Sequence, residues 1–341
     1  MTKLISLFNH KGGVSKTTTT FNLGWALANL GHKTLIVDAD PQCNLTGLVL
    51  DFNKVDDFET FYAGNQLCDI HEAVRPVLDG QQQPLQPANP IPTGNANLFL
   101  LGGNLELSQS ETQISVALTT GNAIPALRNI PGAFGAMLRL TAQAHGFEYV
   151  LLDMSPAVGA LNQCLLMSSD YFIVPTFPDF FCEQAVRSLG AVLPRWNVDI
   201  AGFRDANLAC PIPDAPPRFL GIISQKYRPR SGAPVKSFQK WIDRIKETVD
   251  QVLLASLTPI NMAITAAQFT GCVNDDTPFN LSNIADFNSL IAQSQKHNVP
   301  VFELTDAQIE QQGVVLENMK KNRDAFNTVF TTLATSIQCL T

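Results

Sequence analysis

No two of the seven cysteines, Cys43, Cys68, Cys164, Cys182, Cys210, Cys272 and Cys339, form a C-x-x-C pair. That absence argues against a zinc site. Their scatter also argues against a disulfide framework and favours a reducing, cytoplasmic setting in which most of them are small core residues. Long apolar runs are missing too: none approaches the ~20 uninterrupted residues of a membrane span. The first strand candidate begins at residue 3, leaving no room for a signal peptide. Charge is sparse, with 16% Asp, Glu, Lys and Arg against 45% apolar residues, the profile of a well-cored soluble protein.

The 341 residues suffice for one large α/β domain or two small ones. They are organised around residues 3–20, KLISLFNHKGGVSKTTTT. Leu4, Ile5, Leu7 and Phe8 read as a buried parallel strand, Gly12 and Gly13 as a loop, and Lys16-Thr17-Thr18 as a helix start. In that succession loop N–H groups and the helix dipole converge on an anion. The pattern G-x-x-x-x-G-K-[ST] nevertheless fails, because His10 and Ser15 stand at its glycine positions. What fits is K-G-G-x-x-K-[ST], with an additional lysine, Lys11. A second strand at 33–37 delivers Asp38 and Asp40 to its C-terminal end, where open α/β sheets hold their ligands.

Asn9-His10-Lys11-Gly12-Gly13-Val14-Ser15-Lys16-Thr17-Thr18, followed by Val37-Asp38-Ala39-Asp40-Pro41-Gln42, resembles the ParA family of partition ATPases, within the ParA/MinD group of deviant Walker P-loop proteins. Ser15 departs from the glycine that relatives usually carry before the P-loop lysine. The resemblance implies ATP and Mg²⁺ as ligands, an ATP-dependent homodimer, slow hydrolysis that drives DNA partition or cargo positioning, and an adaptor or stimulating protein. It implies that residues 11–18 cradle the nucleotide, that Lys16 reaches the β- and γ-phosphates, and that Thr17 offers its hydroxyl to the metal. Asp153, at the end of the apolar run 147–153, matches the Walker B carboxylate. Asp40 is the implied switch carboxylate that orients the attacking water, with Asp38 near the metal shell or simply supporting the loop. Lys11 is the residue that crosses to the partner's nucleotide. A nucleotide-dependent binding switch with little hydrolysis stays open as the alternative; an iron–sulfur carrier of the same superfamily is disfavoured by the missing C-x-x-C.

Elsewhere, apolar, non-alternating runs at 98–101, 171–175 and 219–224 alternate with helical stretches near 17–30, 159–169, 182–193 and 234–255. This predicts an α/β fold with a mostly parallel, twisted sheet and helices on both faces, the deviant Walker P-loop NTPase fold. A single domain over 1–341 is expected, with an irregular insertion at about 51–96. A C-terminal helical segment is expected at about 305–338, opened by a Thr305–Gln308 capping box and broken at Gly313. Its apolar face reads as docking surface rather than as a membrane anchor. Residues 218–246 carry eight Lys and Arg against Asp243 alone, in a chain whose net charge is −7. In the helix from Pro234, Val235, Phe238, Ile242, Ile245 and Val249 recur at helical spacing, and Lys236, Lys240 and Arg244 point away from that stripe. With Arg228 and Arg230 they form a candidate surface for non-specific DNA contact, diluted by Glu247.

Overall fold

The computed structural model describes residues 1–51, 55–64, 66–81, 83–121, 123–227, 229–230, 233–234, 236–273 and 279–341. The apolar runs pair into one sheet because each is covered on both sides and has no polar face to offer water. Its strands are β1 (Lys3–Leu7), β2 (Thr34–Ala39), β3 (Ile91–Pro92), β4 (Leu98–Leu101), β5 (Tyr149–Met154), β6 (Tyr171–Thr176) and β7 (Arg218–Tyr227). A small separate hairpin follows, β8 (Pro229–Arg230) with β9 (Ala233–Pro234), and β10 (Asn280–Ala285) completes the large sheet. The order is β10-β7-β6-β1-β5-β2-β4-β3. All neighbours in it are parallel except β3 with β4.

The helices in the N-terminal half are α1 (Lys16–Asn29), α2 (Asn44–Leu50), α3 (Val55–Gly64), α4 (Ile70–Leu78), α5 (Leu107–Thr120) and α6 (Ile130–His145). In the other half they are α7 (Ala160–Ser168), α8 (Phe180–Asp199), α9 (Lys236–Thr248), α10 (Ala255–Leu257), α11 (Ala266–Cys272), α12 (Leu290–His297), α13 (Asp306–Ile309) and α14 (Gly313–Leu340). One layer is built on α1, which packs on β2, β4 and β5 and carries α14 on its back. The second runs through α4, α6, α7 and α8, each touching the next or a shared neighbour. Helix α1 presses close to the sheet through Gly24, where a Cβ would stand 2.6 Å from Ile36 Cγ2.

Three sequence expectations are corrected. Gly313 does not end the short C-terminal helix: Glu310, in the left-handed region at φ 55°, closes α13, and Gly313 is the first residue of α14. The Thr305–Gln308 capping box is present. Pro131 lies in the first turn of α6, where a missing N–H costs nothing. The stretch 51–96 is more regular than its composition suggests, holding α3, α4 and β3. Finally, Cys272 and Cys339 form a disulfide across 67 residues, bringing the end of α11 to the end of α14; the other five cysteines are buried and outside any disulfide. Spacing alone could not reveal a pair that only the packing brings together.

Among the described residues no helix is long and apolar enough to cross a membrane. The face of α14 that carries Met319, Phe326, Phe330, Leu333 and Ile337 is buried.

Candidate nucleotide site

Strand register assembles the site. Leu7 and Asp38 each align with Asp153, so the ends of β1, β2 and β5 lie level. The chain leaves β1 there into residues 8–15 and enters α1 at Lys16. Neighbours of β1 lead in opposite directions along the sheet, β5 to one side and β6 to the other, which is the crevice where doubly wound sheets bind ligands.

Gly13 has φ +75°, which its missing side chain permits. Ser15 also takes the left-handed region, at φ 58° and ψ 32°, as the residue before α1, and its hydroxyl caps nothing. Buried Lys16 extends its ammonium along the inside of the loop, donating to the carbonyls of Asn9 (3.0 Å) and Lys11 (3.5 Å). Burial lowers its pKa, opposed by the negative charges of Asp153 and Asp40. Asn9 pins the loop from the other side: its Nδ2 donates to Pro175 O (2.9 Å) and its Oδ1 accepts from Lys11 N–H (3.0 Å).

The three carboxylates sit in different surroundings. Asp153 is 1% exposed, and among the described residues neither of its oxygens has a hydrogen-bond partner. Burial raises its pKa well above the usual range and Asp38 adds to this, while the neighbouring Thr17 hydroxyl and Lys16 favour the ionised form. Asp38 is fully buried but saturated. Its Oδ2 accepts from Thr46 N–H (2.8 Å) and Thr46 Oγ1 (2.7 Å), and its Oδ1 from Asp40 N–H (3.2 Å). Burial pushes its pKa up to about 6 in spite of these bonds. Asp40, 8% exposed, accepts from Gln42 N–H (3.0 Å) and faces the opening.

These residues surround a cavity of about 360 Å³ lined by residues 12–18, Asp40 and Gln42, with Asn44, Leu48, Pro156, Lys226 and Gln295 completing the rim. The structure thus brings the glycines, Val14, Ser15, Lys16, Thr17, Thr18 and Asp40 to one opening and sets Asp153 behind it. Lys226, counted by charge with the basic stretch, stands at this rim instead. Gln225, next to it in β7, is buried and donates to the Thr19 hydroxyl of α1. Lys11 turns away from the cavity to Asp179 (3.1 Å). Neither Asp179 nor Thr46 stands out in the sequence; a lone Asp opening a helix and a lone Thr inside one carry no motif.

Helix α9 buries Ile242 and Ile245 and leaves Lys240 and Arg244 exposed, as its periodicity predicts. These two line a shallow groove with Gln239, Asp243 and Glu247. The Arg244 guanidinium lies 5.3 Å from the Trp241 ring centre. Arg228 lies outside the described residues, and of Arg230 and Lys236 only the backbone is described.

The family profile described as an AAA domain, AAA_31, matches residues 2–197. An uncharacterized protein of Methanocaldococcus jannaschii is 25% identical over 79% of this chain and 88% of its own length. The chromosome partitioning protein ParA of Caulobacter vibrioides is 29% identical over 57% of this chain, which spans 62% of that protein. Among solved structures, that of Cyanothece McdA in a complex with ATP superposes with a TM-score of 0.59 at 17% identity, covering 94% of this chain and 96% of that one.

Proposed function

The chain belongs to the ParA/MinD family of P-loop ATPases, and from that premise we propose that it is an ATP-driven dimerising switch. It hydrolyses Mg·ATP slowly and uses the cycle for DNA partition or cargo positioning. The observation that carries this reading is the cavity over residues 12–18 and Asp40, with a buried lysine inside it and an unpartnered buried carboxylate behind it.

An orphaned carboxylate at 1% exposure is costly unless a ligand completes it. Asp153 beside the Thr17 hydroxyl fits Mg²⁺, which takes one or two protein groups and fills its remaining positions with water and phosphate oxygens. Thr17 and Asp153 would hold it, with Asp40 near them; when bound it neutralises phosphate charge. We assign Asp38 to scaffolding instead, since its oxygens are committed to Thr46 and Asp40 N–H. Residues 12–18 offer backbone N–H groups and the α1 N-terminus to the triphosphate, Lys16 reaches the β- and γ-phosphates, and Asp40 orients the attacking water. Lys11 acts across the interface of an ATP-dependent homodimer. The partners are non-specific DNA, contacted through α9, and an adaptor or stimulating protein; the setting is the cytoplasm. Chromosome partitioning by the Caulobacter relative and the ATP complex of McdA support this reading.

Lys16→Ala is expected to abolish binding of a fluorescent ATP analogue; wild-type affinity in that variant would remove the P-loop assignment. Asp40→Ala is expected to bind Mg·ATP and fail to hydrolyse it. The alternative, a nucleotide-dependent binding switch with little hydrolysis, draws on the strained Ser15 at the loop's end. Single-turnover hydrolysis with and without DNA separates the two.

A further inference from the structure

Lys11, the lysine that distinguishes this P-loop, is fastened twice to its own subunit. Its ammonium pairs with Asp179 Oδ2 at 3.1 Å and lies 5.6 Å from the ring centre of Phe177. Both belong to the short segment between β6 and α8. Its backbone is tied to the end of β6, just before that segment, through Asn9, which accepts from Lys11 N–H and donates to Pro175 O. The two paired side chains retain 22% and 30% exposure, so solvent screens the pair only in part. Asp179 divides its oxygens: Oδ1 accepts from Cys182 N–H at 2.7 Å and caps α8, leaving Oδ2 to Lys11.

Resting on the reading of Lys11 as a residue that acts across a dimer, we propose that the Lys11–Asp179 pair is an intramolecular latch that opens when two copies associate. A lysine held on its own subunit's carboxylate cannot at the same time reach a nucleotide on a facing copy. A triphosphate offers more negative charge than one carboxylate, so the exchange becomes favourable when the facing copy is loaded. The latch therefore suppresses association of empty subunits and makes the dimer depend on nucleotide. In a two-fold dimer both latches open, so the effect of one enters twice. A partly exposed ion pair shifts an equilibrium by about threefold, and two together by about tenfold.

The test separates the charge of Asp179 from its capping. Asp179→Asn and Asp179→Ser both keep an oxygen for Cys182 N–H, since Asn and Ser cap as well as Asp, but neither holds an ammonium by charge. Full-length protein is titrated with Mg²⁺ and a non-hydrolysable ATP analogue, and the monomer–dimer dissociation constant is read by sedimentation. Thermal unfolding of each variant reports whether α8 is still capped. Both variants are expected to dimerise about tenfold more tightly at low salt, and the gap from wild type is expected to narrow as salt rises. In a Lys11→Ala background Asp179→Asn is expected to change nothing. If Lys11→Ala blocks the dimer while both Asp179 variants match wild type, the latch is wrong and the trans-acting lysine stands. If Lys11→Ala dimerises like wild type, the reading beneath the latch fails and the latch with it. A gain from Asp179→Asn that persists without Lys11 would also overturn the proposal, because the carboxylate would then be acting on some other group.

Discussion

Ser15 holds a left-handed backbone, φ 58°, at the residue before α1, and its buried hydroxyl has no partner among the described residues. An L-residue with a Cβ loses about 1 kcal/mol or more there, and a buried unpaired hydroxyl costs about as much again. Glycine removes both penalties while giving back up to about 1 kcal/mol through its freer unfolded chain. Ser15→Gly is therefore expected to stabilise the nucleotide-free protein by about 1 kcal/mol, a rise of roughly 2 °C in Tm by calorimetry. A fall in Tm would mean that the hydroxyl is held in a way the geometry does not show. Asp38 supports a second prediction. Its folded-state pKa of about 6 lies above the ordinary 3.8, so the folded protein holds the proton more tightly. The stability this contributes is fully present below about pH 4 and is lost as pH rises through about 6, a change of ~3 kcal/mol. Asp153 shifts in the same direction and adds to the slope. Asp38→Asn is expected to flatten, though not abolish, the decline in denaturant stability between pH 4 and 6, whatever offset it introduces at a single pH. An unchanged slope would assign the titration elsewhere.

At the scale of elements, the strands legible in the sequence were those with continuous apolar runs, namely β1, β2, β4, β5, β6 and β7, because burial on both faces leaves that mark. Strand β10, Asn280–Ala285, was not legible. Its sequence NLSNIA mixes polar and apolar residues, as a strand at the sheet's edge can, and it forms by pairing with β7. The candidate site divides the same way. Loop spacing and strand ends mark Lys16, Thr17, Asp40 and Asp153 in the sequence, whereas Asp179 and Thr46 carry no motif and matter only through the side chains they meet, Lys11 and Asp38. Gly24 lies between these cases: it reads as an ordinary helix glycine, yet the approach of α1 to β2 depends on it. An added Cβ would meet the stiff, β-branched Ile36 at 2.6 Å and Leu98 at 3.3 Å. Gly24→Ala gains about 1 kcal/mol of helix propensity but overpacks the core by about 1–3 kcal/mol. The expected outcome is a net loss of about 1 kcal/mol in urea unfolding. Nucleotide affinity should weaken with it, because α1 carries Lys16 and Thr17 at its first turn. Greater stability with unchanged affinity would show that the sheet gives way without moving the helix.

Over the whole molecule the charge is unevenly placed: −7 in total, with eight basic residues against one acid at 218–246. An acidic body repels DNA at long range, so any attraction has to be local and short-ranged, and salt tunes both. Lys240 and Arg244 are the described cations on the outer face of α9, and Asp243 and Glu247 share their groove. If this face tracks phosphates, replacing Lys240 and Arg244 with Ala should weaken duplex binding of the Mg·ATP form uniformly across sequences. The slope of log affinity against log salt should then fall by about two, nearly one for each phosphate that is no longer neutralised. Neutralising the acids instead, with Asp243→Asn and Glu247→Gln, should strengthen binding at low salt by removing repulsion at the same groove. Basal ATP hydrolysis should stay at the wild-type rate in both pairs, because neither Lys240, Asp243, Arg244 nor Glu247 lines the nucleotide cavity. The two pairs of variants must move affinity in opposite directions. Equal retention of duplex DNA by wild type and both double variants, measured by filter binding with ATP at low salt, would take the DNA surface away from this helix.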